Sequence, residues 1–267
     1  MREINKIQKV VRAYYADIAT NETSCCSSAG KGYPSELLQS LPEDIAGFSE
    51  GSGDPVTPAK LQLGETVLDL GSGGGLDCFL AARQVGEAGQ VIGVDMTPEM
   101  LARARRDAKR LGLVQVSFRE GTLEDLPVED ASVDVVLSNC VINLSMDKAK
   151  VYREVFRVLK PGGRLSISDV VANHAISQQE KQDMGAWCAC STGALTYRET
   201  LNLLELIGFS KIALTPEQNV WERSGSVSSS QAGGVRQGRT LRAWIEQWEG
   251  QQEVDFAPFH ISAGKPR

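Results

Sequence analysis

Thr66-Val67-Leu68-Asp69-Leu70-Gly71-Ser72-Gly73-Gly74-Gly75-Leu76 decides the fold. A five-residue apolar run (66–70) reads as a buried strand, the glycines as a tight turn, and residues from Leu76 to Val85 as a helix. The same alternation then repeats. Gln90–Asp95 reads as a strand; Thr97-Pro98-Glu99 supplies an N-cap, a proline at the first helical position and an acidic first turn for a helix reaching Leu111. Strands over 114–118, 133–138 and 164–170 follow, with a helix from Asp147 to Leu159 stopped by Lys160-Pro161-Gly162-Gly163. Alternating β and α units of this length predict an α/β, Rossmann-like, parallel-rich sheet with helices on both faces. Such sheets bind ligands beyond the carboxyl ends of their strands.

Upstream, Ile4, Ile7, Val10, Val11, Tyr14, Tyr15 and Ile18 recur at helical spacing, so residues 3–19 read as an amphipathic helix with something to pack on. Residues 20–60 mix Gly, Pro, Ser and acids around a short helical patch at 35–41 and read as a loop-rich connector or lid. Downstream, Ser177-Gln178-Gln179-Glu180 and Thr196-Tyr197-Arg198-Glu199 are capping boxes that predict two further helices. One strand follows Gly208-Phe209, then the Ser/Gly run 224–234 reads as a linker, and the Trp-containing patch 240–250 as a helix docked on the domain. The expected organisation is 1–60 N-terminal helix and cysteine-bearing loop, 61–175 cofactor-binding domain, 176–222 substrate-binding helices and sheet completion, and 223–267 linker and C-terminal extension.

Charge and cysteine bound the chemistry. With 28 Lys+Arg against 34 Asp+Glu, the net charge of −6 argues against a nucleic-acid partner. No apolar run approaches the roughly 18–20 residues of a membrane span, and the charged opening lacks the apolar core of a signal peptide, so no membrane partner and a reducing cytoplasm are expected. Six cysteines in 267 residues are too sparse for a disulfide scaffold. They stand at 25, 26, 78, 140, 188 and 190, free to act as ligands, nucleophiles or small core residues. Cys78 and Cys188 read as packing residues. A structural zinc site is disfavoured, because no C-x2-C pair is present and only two histidines are available.

The glycine run carries the cofactor reading. Glycines admit close backbone approach, and Asp95, twenty residues after Gly75, can accept both hydroxyls of a ribose. A dinucleotide fingerprint would have glycine where Leu76 stands; G-x-G-x-G with Asp69 two residues before it favours S-adenosylmethionine, which has no pyrophosphate to seat. Thr122-Leu123, in the loop after the third strand, sit where an adenine pocket is expected. The basic stretch 103–110 reads as a solvated helix face.

Val67-to-Cys78, Gly93-to-Leu101, the loop 121–144 and the strand-end segment 156–170 together resemble the class I S-adenosylmethionine-dependent methyltransferases, and specifically the arsenite methyltransferase family, over about residues 10–210. The most specific pieces are Ser138-Asn139-Cys140-Val141-Ile142-Asn143-Leu144 and Trp187-x-x-Cys190-x-x-Gly193-Ala194-Leu195. The resemblance implies that Asp69, Gly71, Ser72, Gly73 and Gly75 shape the methionine and ribose pocket, that Asp95 and Met96 bind ribose and adenine, and that Thr122, Leu123 and Asn139 line the rest. It implies that Cys140 and Cys190 hold As(III) as the catalytic thiolates, that Cys25 and Cys26 deliver substrate by thiol exchange, and that a thiol reductant, glutathione or thioredoxin, restores the trivalent state. Trivalent arsenic is soft and thiophilic, so this donor set suits it. The family carries a further cysteine in a Gly-Cys-Gly turn before the first strand, where this chain reads Gly51-Ser52-Gly53. By thiol count alone, a two-thiolate site suits monomethylated arsenic (methylarsenite) better than arsenite. Two other functions fit the same features: methylation of a small organic carbon or oxygen nucleophile such as a quinone, and a non-catalytic metalloid-binding protein.

Overall fold

The computed structural model describes residues 2–21, 32–48, 51–217, 245–246, 248–250 and 255–267. Cys25, Cys26 and the 224–234 run lie outside them. Seven strands form one sheet: β1 (Thr66–Leu70), β2 (Gln90–Asp95), β3 (Val116–Glu120), β4 (Val133–Asn139), β5 (Leu159–Ala172), β6 (Ser210–Pro216) and β7 (Phe256–Gly264), in the order β3-β2-β1-β4-β5-β7-β6. β1 to β5 pair in parallel, while β7 runs antiparallel between β5 and β6. β4, β1 and β2 are almost wholly buried, which is why they read as continuous apolar runs.

Helices α5 (Leu76–Val85) and α6 (Pro98–Leu111) cover one face. Their apolar sides close a core with Phe79, Leu80, Leu101 and Phe118. On the other face, α7 (Lys148–Val158) and α9 (Tyr197–Ile207) bury Val151, Val155 and Leu204 against β4, β5 and β7. The Thr196 capping box is fully formed: Glu199 N donates to Thr196 Oγ1, and Thr196 N to the Glu199 carboxylate, which stabilises the start of α9 by about 1 kcal/mol.

Helix α1 (Arg2–Asn21) lies across the carboxyl end of the sheet. Val11 packs with Leu144, Trp187, Cys188 and Cys190, and Tyr15 donates to the carbonyl of Cys188. Short helices α2 (Ser35–Leu38), α3 (Glu43–Ala46) and α4 (Val56–Ala59) carry the connector back to β1.

The fold departs from the sequence reading in several places; β5 already begins at Leu159, five residues before the expected strand, and Arg103 of the basic stretch is buried over the Phe48 ring. Residues 256–264, expected within a terminal extension, form β7. There Ala257, Phe259, Ile261 and Ala263 alternate into the core, and Pro258, normally an argument against an inner strand, offers its carbonyl to Glu217 N at 3.0 Å. The Ser177–Glu180 box forms its reciprocal bonds but opens only a 3-10 turn (Glu180–Gln182), because Asp183 turns extended and caps the separate helix α8 (Met184–Cys188). The third strand begins two residues late, since Gly112 ends α6 in a left-handed cap and leaves Val114 in solvent. Among the described residues no helix is long and apolar enough to cross a membrane.

Candidate functional site

A cleft opens at the carboxyl ends of β1, β2 and β4, roofed by α1 through Gln8, Val11 and Tyr15. Its floor is the turn between β1 and α5. Gly73 adopts φ +49°, and a Cβ built there would meet no atom nearer than 4.0 Å, so the turn leaves open space above its backbone. Gly71 (φ +62°) is closed from the other side: its added Cβ would stand 2.4 Å from Val141, the neighbour of Cys140. Between them Ser72 keeps a buried hydroxyl that finds no hydrogen-bond partner among the described residues.

Asp95 ties this floor to β2. One carboxylate oxygen accepts from Gly73 N at 2.9 Å and the other from Thr97 N at 2.8 Å, while burial raises its pKa. Asp77, in the first turn of α5, is pushed up to about 7 by burial, against hydrogen bonds from Tyr33 Oη (2.6 Å) and Asn139 Nδ2 (3.3 Å). Asp69 lies deeper, accepting from the Cys78 thiol at 3.2 Å, its pKa raised by burial and then by Asp77. Asp77 and Asp95 therefore reach the cleft with Asp69 buried behind them, each with its charged form disfavoured, an arrangement that suits a cationic ligand.

Most of the expected cofactor residues share this cleft: Gly71, Ser72, Gly73, Asp95, Met96, Thr122, Leu123 and Asn139 line it. Asp69 and Gly75 do not reach its wall. Asp69 is buried behind the turn, and Gly75 (φ +94°) packs where a Cβ would strike the ring of Phe79. Sequence reasoning missed Asp77 and Tyr33, and placed Glu124 in the candidate loop 121–127 without singling it out, although it lines the cleft. An acid among Leu76, Cys78 and Phe79, on a helix otherwise buried there, was the available signal for the first. The glycine floor with its open space, the orphan hydroxyl of Ser72, Asp95 at the end of β2 and the convergent acids fit a nucleoside that carries a cationic amino-acid arm, as S-adenosylmethionine does.

The thiols stand at the opposite side. Cys140, on the cleft wall just after β4, adopts φ +55°, and Cys190, just after α8, adopts φ +60°. Left-handed backbone is uncommon outside glycine and clusters at functional sites. The Cys140 strain is held by its N–H donating to Ser168 O at 2.8 Å; Cys190 is held by Asn143 Nδ2 donating to its carbonyl at 3.2 Å. The Cys190 thiol donates to the carbonyl of Cys140 at 2.7 Å, so this buried thiol stands directly behind the cleft-wall cysteine. Cys188, buried against α1, has its pKa raised by burial. Cys78, Cys140, Cys188 and Cys190 are all free thiols. Among the described residues no group of three or more His, Cys, Asp or Glu could hold a metal ion.

Asn139 joins the two halves. Its Oδ1 accepts from Ser52 N (2.9 Å) and Gly53 N (3.4 Å), and its Nδ2 donates to Gly53 O (2.7 Å) and Tyr33 Oη (2.8 Å). The turn 51–53 is thereby docked on the residue that precedes Cys140.

Residues 61–215 match the family model described as a methyltransferase domain. The chain is 39% identical over 241 residues to the arsenite methyltransferase of Halobacterium salinarum, covering 83% of this chain and 62% of that protein. It is 41% identical over 223 residues to the arsenite methyltransferase of Aquipseudomonas alcaligenes, covering 79% and 64%. It thus spans under two thirds of the length of these curated relatives. Among solved structures it resembles an arsenic (III) S-adenosylmethionine methyltransferase from Chlamydomonas reinhardtii, with TM-score 0.64 and 30% identity over 87% of this chain and 72% of that one.

Proposed function

The chain belongs to the arsenite methyltransferase family of S-adenosylmethionine-dependent enzymes, and from that premise we propose that it transfers a methyl group to trivalent arsenic held by the thiolates of Cys140 and Cys190. One observation carries the reading. A strained cysteine on the wall of the cofactor cleft has a second strained cysteine's thiol against its own carbonyl.

Gly71, Gly73, Asp95, Met96, Thr122 and Leu123 would hold the cofactor, with Asp77 facing its cationic arm. S-adenosylmethionine supplies an electrophilic methyl on a sulfonium. The nucleophile is the lone pair of arsenic, so the site has no proton to abstract from the attacking atom and needs no general base. The protein's task is then to fix that atom, which two soft sulfur donors do by releasing their protons on capture. Cys140 and Cys190 meet this requirement from rigid positions at the ends of β4 and α8, so little ordering is needed at capture. Cys25 and Cys26 would pass the arsenical inward by thiol exchange, and a cytosolic thiol, glutathione or thioredoxin, would return the product to the trivalent state.

The test is Cys140→Ser, assayed by arsenic speciation with S-adenosylmethionine and a thiol, beside direct measurement of cofactor affinity. Methylation should be lost while cofactor affinity stays within about twofold. Methylation at the wild-type rate by this variant refutes the assignment.

A further inference from the structure

The two cysteine-bearing motifs, 138–144 and 187–195, carry residues besides cysteine that the proposed chemistry leaves unused, and the fold brings these together. Trp187 Nε1 donates to Leu144 O at 3.2 Å. Gly193 packs so closely on the carbonyl of Asn143 that a Cβ there would overlap it. Asn143 is buried in the 3-10 turn Ile142–Leu144, three residues after Cys140. Its Nδ2 faces three acceptors: Val170 O at 2.7 Å, Asp169 Oδ1 at 2.9 Å and Cys190 O at 3.2 Å.

The chemistry of these partners fixes the amide's orientation. Two of them are backbone carbonyls, which only accept, so the NH2 end must face them, and its two protons serve β5 and Cys190 at once. Asp169 is held in its turn, because the oxygen that takes Asn143 also accepts from Val170 N at 2.8 Å. Both cysteines are thereby referred to three consecutive residues of β5: Ser168 O takes the amide of Cys140, while Asp169 and Val170 take Asn143, which takes the carbonyl of Cys190. Cys190 is left-handed at φ +60°, a conformation that a non-glycine residue keeps only where its surroundings enforce it. Its thiol meets Cys140 O at 2.7 Å, so releasing that backbone moves the sulfur relative to Cys140. We propose that Asn143 is a positioning residue for methyl transfer, clamping the Cys190 backbone to β5 and so fixing where the Cys190 sulfur stands relative to Cys140.

The inference rests on the arsenic reading above and deepens it. Asn143 does not line the cleft, so it acts on the substrate through Cys190. Capture by two thiols depends on the effective concentration of the second at the atom already bound to the first, and that concentration falls when the second thiol's backbone is released. Loss of a hydrogen-bonded clamp of this kind corresponds to about tenfold in capture. A residue that served folding alone would instead disturb the cofactor end and the reactivity of each thiol together.

The probe is phenylarsenite, a trivalent arsenical with two exchangeable hydroxyls; each As–OH is replaced by As–S, and its oxygen leaves as water with the thiol proton. Capture by the whole chain is read by equilibrium dialysis in a phosphine reductant, so that no small thiol competes, and only the part abolished by Cys140→Ser is counted. Two controls accompany it. Alkylation of Cys140 by iodoacetamide, located by mass spectrometry, needs one thiol alone, and binding of S-adenosylmethionine needs none. Asn143→Ala should weaken the Cys140-dependent capture about tenfold and raise KM for arsenite, with Cys140 alkylation and cofactor affinity within about twofold of wild type. Asn143→Leu, which fills the space without donors, should do the same and carries the test where the alanine variant does not fold. Capture at wild-type strength in either folded variant, or a parallel loss of capture, alkylation and cofactor affinity, overturns the inference while leaving arsenic methylation standing. A wild type without Cys140-dependent capture fails the arsenic reading itself, and the inference falls with it.

Discussion

Asn139→Ala removes a side chain that touches both halves of the site. Asn139 makes hydrogen bonds of 2.9 Å with Ser52 N, 2.8 Å with Tyr33 Oη and 2.7 Å with Gly53 O. Each is worth about 1 kcal/mol net, and more where the abandoned partner stays buried, as the Gly53 carbonyl does. The expected loss is therefore about 3 kcal/mol, or a fall in Tm of about 6–12 °C for a chain of this size. Because the turn 51–53 is held mainly through this side chain, part of the loss should appear locally, as faster amide hydrogen exchange at Ser52 and Gly53. Asn139→Asp separates geometry from charge. It keeps the acceptor for Ser52 N but turns an oxygen toward Asp77, at present 3.3 Å from the amide nitrogen. Its penalty should exceed that of alanine above about pH 7, where Asp77 ionises, and shrink below it. Differential scanning calorimetry at pH 6 and pH 8 with exchange mass spectrometry reads all of this. A melting point for Asn139→Ala within about 2 °C of wild type, with protected Ser52, would show that the turn is held by something else and refute the argument.

Two further outcomes follow from the cleft floor. Asp77 releases its proton near the ordinary carboxylate value of 3.8 when unfolded and near 7 when folded, so the native state binds that proton more tightly. Its contribution falls as pH rises from about 4 to about 7 and is flat above; Asp77→Asn should thus gain about 2 kcal/mol relative to wild type between pH 5 and pH 8 in urea denaturation, while binding S-adenosylmethionine more weakly, and parallel curves for the two proteins would sink the account. Gly73→Ala should cost the fold only about 1–2 kcal/mol of backbone strain, since its Cβ meets nothing within the protein, yet lower cofactor affinity at least tenfold because the methyl enters the cleft; calorimetric titration checks this, and wild-type affinity would place the cofactor elsewhere.

What the sequence made legible is what local rules determine. The strand, glycine turn and helix over 66–85, the capped helix after Thr97 and the box at Thr196 each rest on residues within a turn of one another. β7 was hidden because its partners lie about 90 residues upstream in β5 and 50 in β6, and because Pro258 and small residues blur its alternation. Within the cleft, Gly71, Asp95 and Thr122 could be anticipated from their positions at strand ends. Asp77 left only the signal of an acid on an otherwise buried helix start, and the roles of Tyr33 and Glu124 depend on tertiary neighbours: Tyr33 reaches Asp77 across 44 residues, and Glu124 is met by Gln8 of α1 and by Ser145. Nor could a motif show that Cys140 and Cys190 are both left-handed, or which thiol stands in front of the other.

The two sides of the cleft differ in chemistry, with buried acids at one and free thiols at the other. At the cofactor end, Asp69, Asp77 and Asp95 are buried with raised pKa values, so the empty fold holds them at a cost that a cationic ligand relieves; by linkage, whatever that cation gains from the carboxyls is the amount by which it lowers their pKa values. Behind the thiols Lys148 is buried and its pKa lowered to about 8, chiefly by burial, and its ammonium donates to Ser145 O at 2.8 Å. On the proposed reading a soft acceptor displaces the thiol protons as it binds, and the fold contributes by fixing both cysteines in left-handed backbone with the Cys190 thiol against the Cys140 carbonyl. A hard ion gains little from sulfur, so on that reading a pair of thiols by itself selects for a thiophilic atom.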